Sequence, residues 1–170
     1  GTEGLSGERF LDNQRIEGTI PEMLDAAISF IRRNMRTKTI INPKTGKRED
    51  RTDYPITAIR EAILNALVHR DYSIHTEGMP IQIIIFDDRL EIYYPGGMFD
   101  GINVQDRDLL QIPSQRRNPI IADMFSRLHF MERRVSGIKK IIKEYKAQYK
   151  YSDDMQPEFV SEHGGFFLTD

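Results

Sequence analysis

Two short runs constrain the fold most. Ile81 to Phe86 and Leu90 to Tyr94 are β-branched and aromatic, and Asp87-Asp88-Arg89 separates them. They predict a pair of adjacent antiparallel strands. Pro95-Gly96-Gly97 breaks the second strand. Around this pair the patterns alternate in mixed order. Ile20 to Met35 reads as a helix, with Thr19 as cap, Pro21 in the first turn and Glu22 at the favoured end. Thr37–Ile41 and Lys47–Arg51 flank Asn42-Pro43-Lys44-Thr45-Gly46, a hairpin signal. A second helix opens at Pro55 or Ile56 and ends near His69. Met98 to Arg117 has weak patterning and predicts a long loop with little structure of its own. Asn118 and Pro119 cap and open a third helix reaching about Leu128. Ser136 to Tyr149 is a fourth, with Ile138, Ile141, Ile142 and Tyr145 on one stripe and four lysines over the other face. Phe159 to Thr169 forms a last hairpin. This order predicts an α+β fold, a two-layer α/β sandwich, with the second helix packed on the sheet.

Composition narrows the function classes. The chain has 170 residues, the size of one domain, and no Cys, which excludes a disulfide framework, a thiolate zinc site and a Cys nucleophile. No apolar run is long enough for a membrane span. The formal net charge of −2 argues against a free-standing DNA-binding module. Residues 1–8 read as a linker or cloning remnant and 9–170 as the domain. The chain stops straight after the apolar run Phe166-Phe167-Leu168, so flanking domains are expected outside it.

The second helix carries the candidate chemistry. At about 100° per residue, Glu61, Asn65 and His69 fall within roughly 80° of one another, opposite Ile59, Ile63, Ala66 and Leu67. A Glu and an Asn at this spacing can share a small ligand, the Glu as base and the Asn oxygen as a hard ligand for Mg²⁺. The competing reading is a polar face open to water. Gly96-Gly97 allows close backbone approach to a ligand, or is a tight turn. Ser136-Gly137 at a helix start can attract phosphate, or is a cap followed by a small residue. Arg116 and Arg117 can clamp a phosphate from the loop, or are a solvated pair. Between Met131 and Lys150 stand seven Lys/Arg against two Asp/Glu, which reads as a solvated helix face balanced by the acidic tail.

The strings YPITAIREAILNALVHRDYS, IQIIIFDDRLEIYYPGGM, RRNPIIADMF and ERRVSGIKKI resemble the ATPase-like domain of RecG-related proteins labelled ATP-dependent DNA helicases or transcriptional regulators. That domain is similar to the ATP-binding fold of gyrase, Hsp90, histidine kinases and MutL, the GHKL or Bergerat type. The resemblance implies an ATP site with Mg²⁺. Glu61 would activate the attacking water and Asn65 would bind the Mg²⁺. Gly96, Gly97 and Gly137 would line the nucleotide, with Met98 to Arg117 as lid, and the residues themselves add His69, Arg117 and Ser136 as candidate phosphate contacts. It further implies DNA contact through a Schlafen- or Alba-like domain outside this chain, a homodimer, and a cytoplasmic setting.

Two departures from the family pattern shape the expected activity. No carboxylate stands at Tyr93-Tyr94-Pro95, where relatives anchor adenine, and Val135 replaces a glycine of the second glycine box. The resulting expectation is nucleotide binding with weak or no hydrolysis. Its rival is a degenerate copy acting as a dimerisation or interaction module without nucleotide. Nothing resembles a helicase motor with a Walker A lysine loop.

Overall fold

Helix α2 (Ile56–His69) is central to the molecule: nine of its fourteen residues are buried. A helix covered on so many sides is a core element rather than a surface amphipath. The computed structural model describes residues 12, 14–86, 89–98, 101–112, 117–130, 137–148, 151–162 and 165–169. In chain order the regular elements are α1 (Ile20–Asn34), β1 (Thr37–Ile41), β2 (Arg48–Thr52), α2, β3 (Gln82–Ile85), β4 (Leu90–Pro95), α3 (Pro119–Arg127), α4 (Gly137–Lys146), β5 (Glu158–Glu162) and β6 (Gly165–Thr169).

Four strands form one antiparallel sheet in the order β3-β4-β6-β5. Ile83 pairs with Ile92, Ile92 with Leu168, and Phe159 with Leu168. Along β4 the buried Leu90, Ile92 and Tyr94 alternate with the half-buried Glu91 and Tyr93. That period of two turns one row toward the helices. Above it α2 packs against α1, α3, α4 and β4. Leu24, Phe30 and Ile31 of α1, Ile59, Ile63 and Leu67 of α2, and Ile141, Ile142 and Tyr145 of α4 share one core. The architecture is the α+β sandwich that the strand and helix patterns predict, with Ile63 and Leu67 buried as the wheel requires.

Three expectations change. Asn118 does not cap α3 with its side chain. Its amide donates instead to Val68 O at 2.7 Å and Arg70 O at 2.8 Å, closing the end of α2. The segment after β4 is not featureless: a 3₁₀ turn at Val104–Asp106 is fastened to β5. There Ser161 Oγ accepts the Val104 N–H at 2.8 Å and Gln105 Oε1 accepts the Ser161 N–H at 3.0 Å, while Val104 is fully buried. The four lysines of α4 are not one solvated face, since Lys139 and Lys140 are half-buried. Strands β1 and β2 form a separate two-stranded sheet, and none of the side chains described on it belongs to the core.

Candidate functional site

The polar row of α2 is a seam inside the protein, facing α4. Thr57 Oγ1 donates to Glu144 Oε2 at 2.7 Å. One turn on, Lys140 Nζ pairs with Glu61 Oε2 at 3.1 Å. After another turn, Asn65 meets Gly137, where an added Cβ would overlap the Asn65 carboxamide. Steps of four along α2 match steps of four and three backward along α4, as two antiparallel helices require. Glu61 is 4% exposed, so its carboxylate is not on the water-facing surface that the competing sequence reading allowed. Lys140, on the face read as solvated, is its partner, and its side chain is 29% exposed. Asn65 is half-buried, and its Nδ2 is fully buried with no hydrogen-bond partner among the described residues.

A second cluster forms where α2 and β4 end. The Asp71 N–H donates to Pro95 O at 2.8 Å, joining the two elements. Gly96 follows at φ +101°, a left-handed conformation that suits glycine. A Cβ there would overlap the Arg117 guanidinium and crowd Asp71. Arg117 Nη2 donates to Gly97 O at 2.6 Å. His69 is half-buried and its pKa falls from 6.5 to about 4; desolvation is the larger cause and the Arg117 charge the second. The imidazole is therefore neutral at pH 7. The Asp71 carboxylate is held below its usual range by hydrogen bonds from the Ser73 N–H and hydroxyl, with a smaller contribution from Arg117. Burial pushes the Tyr94 hydroxyl up, with Arg117 opposing.

The structure thus joins Asn65 to Gly137, and Arg117 to the Gly96-Gly97 turn, with the Arg117 charge felt by His69. It joins Glu61 to Lys140 rather than to open solvent. Ser136, Val135 and Arg116 lie outside the described residues. Sequence reading missed the roles of Lys140 and Asn118, while Asp71, read as a helix stop that bonds its own backbone, accepts the Ser73 N–H at 2.8 Å. The Asn118 amide bonds to Val68 and Arg70 had no local signal. Among the described residues no group of three or more His, Asp or Glu could hold a metal ion. A nucleotide's phosphates nevertheless fit the chemistry of the seam. The Asn65 Nδ2 lacks a partner among the described residues, and the side chain lies against the first residue of a ten-residue helix, whose N–H groups favour anions. No helix among the described residues is long and apolar enough to cross a membrane.

Residues 78–169 match the family described as "Putative ATP-dependent DNA helicase recG C-terminal". The matched stretch holds Gly96, Gly97, Arg117, Ser136 and Gly137, and leaves α2 outside. Among curated proteins, none matches this chain. Among solved structures, the chain is similar to the DIP2311 protein from Corynebacterium diphtheriae, with a TM-score of 0.71 and 22% identity. That likeness covers 88% of this chain and 28% of the other, and it shows the fold. The chain spans only about that quarter of its solved relative's length. With more than half of its residues inside the family match, and with the sandwich to accompany them, this chain belongs to the RecG-related C-terminal ATPase-like family.

Proposed function

We propose that this chain is the ATP-binding domain of a DNA-associated regulator or helicase-related protein, and that alone it hydrolyses ATP slowly or not at all. The observation that carries the reading is the meeting of Asn65 with Gly137, which are remote in sequence and belong to different elements. Asn65 and the start of α4 would hold the phosphates, Asn65 also the Mg²⁺, and the Gly96-Gly97 turn with His69 and Arg117 would border the rest. Bound Mg²⁺ supplies charge neutralisation on the phosphate oxygens. Domains outside this chain would also contact DNA, a homodimer would close the site, and the protein works in the cytoplasm.

Weak hydrolysis follows from Glu61. A base must reach the proton that it removes. The Glu61 carboxylate lies under α4 with one oxygen on Lys140 and almost no exposed surface. Phosphoryl transfer rests mainly on positioning and charge stabilisation, so a base held elsewhere loses rate steeply. A second reading, an interaction module without nucleotide, is favoured by the closeness of Asn65 to Gly137 and of Arg117 to Gly96, which leaves little room in either cradle. Phosphate release at saturating ATP tests the rate. The chain and Glu61→Ala should both turn over well below about 1 s⁻¹. A turnover of about that size or faster, abolished by Glu61→Ala, would refute the proposal.

A further inference from the structure

The β1–β2 ribbon stands apart from the core and concentrates positive charge. From Thr37 to Thr52 the ribbon holds five Lys/Arg and two Asp/Glu, a local charge of +3. The whole chain carries −2, so the other residues together carry −5. A net charge near neutrality therefore hides a strongly polarised molecule.

The ribbon is held in one shape. At its base the Arg36 N–H donates to Asp53 Oδ2 at 2.9 Å and the Asp53 N–H to Arg36 O at 3.1 Å. At its tip the Asn42 N–H donates to Lys47 O at 2.9 Å and the Gly46 N–H to Asn42 O at 2.8 Å. Asn42 Oδ1 accepts the Lys44 N–H at 2.9 Å, and Gly46 takes φ +66°. This turn presents Lys44, Lys47 and Arg48 to solvent, with Lys38 exposed on β1. Among the described residues none of these four makes an ion pair. Ile41, paired across the ladder with Arg48, is 71% exposed, an apolar side chain amid the cations.

We infer that this ribbon is a docking surface for duplex DNA, inserted at or along the major groove. Lysines that form no ion pair with a carboxylate among the described side chains match a phosphate backbone. Two strands about 4.8 Å apart and five residues long, roughly 17 Å, suit a groove about 12 Å wide that admits a two-stranded ribbon. The exposed Ile41 can contact thymine methyl groups. The inference goes beyond the nucleotide-site reading, because it gives this chain its own DNA contact and needs no nucleotide.

Fluorescence anisotropy of a labelled duplex of about 20 base pairs, titrated with the full chain without nucleotide at about 50–200 mM salt, tests it. Log affinity should fall linearly with log salt. The K44Q/K47Q/R48Q variant should lower that slope by about 2 to 3 and weaken binding about tenfold or more at the lowest salt. Lys143→Gln with Lys146→Gln, on the exposed side of α4, should leave both unchanged. Thermal midpoints establish that the variants fold. Should the triple variant fail that check, Lys44→Gln alone should lower the slope by about 0.9. The inference is overturned by absent duplex binding, by an unchanged slope in the ribbon variant, or by loss in the α4 variant. Tighter binding of single-stranded RNA or anionic vesicles through the same lysines would overturn it equally.

Discussion

Gly137→Ala puts a methyl group into the space of the Asn65 carboxamide. The overlapped atoms end a short side chain, so Asn65 has to rotate or the α2–α4 seam has to widen. Overpacking of this kind costs about 1–3 kcal/mol. Alanine gains back a fraction of the roughly 0.5–1 kcal/mol by which it exceeds glycine in helices, less than the full amount because residue 137 opens α4. The net loss should be about 1–2 kcal/mol, a fall of roughly 2–8 °C in thermal midpoint for a domain of this size. In an Asn65→Ala background the methyl group enters space that the carboxamide has left, so the same change should be near neutral. Urea denaturation of the four proteins measures the coupling, expected at about 1–2 kcal/mol. Equal losses in both backgrounds would refute the claimed contact.

Two further outcomes follow from the second cluster. His69 has a folded pKa of about 4, below its ordinary 6.5, so on acidification the unfolded chain takes the proton first. Stability should be unaffected by this group above pH 6.5 and fall by up to about 3 kcal/mol as the pH drops to 4; a His69→Gln chain with an equally steep decline over that window would contradict the assignment. Gly96→Ala should destabilise by about 1–3 kcal/mol from its positive φ alone. Arg117→Ala should not rescue it, because the backbone strain and the Asp71 contact persist, and full rescue would show that the guanidinium was the sole obstacle.

The sequence disclosed elements better than neighbours. The bounds of α2, β4 and the first hairpin were legible because capping, turn residues and period are local properties. The row Glu61-Asn65-His69 was legible as a row, but a helical wheel says which residues share a face and not what covers it. The cover is α4, whose Ile141, Ile142 and Tyr145 enter the core and carry Lys140 onto Glu61. No local pattern separates a lysine bound for a buried carboxylate from one bound for water. Asn118 failed for the same reason: a good capping residue was drawn to the carbonyls of α2, which sequence distance concealed. Val104 showed no periodicity, yet a hydrogen bond to Ser161 and full burial fix the segment after β4.

Isothermal calorimetry with ATP, with and without Mg²⁺, tests the nucleotide reading most directly, on this chain and on Asn65→Ala. Binding that Mg²⁺ strengthens is expected, with a clear loss of that gain in Asn65→Ala and both proteins folded. Ligand at 100 times its dissociation constant should then add about 2.7 kcal/mol to the stability of the unmodified chain. Absence of binding heat and of any ligand-induced stabilisation, for ATP and ADP alike and with Mg²⁺ present or absent, would contradict it and leave the interaction module.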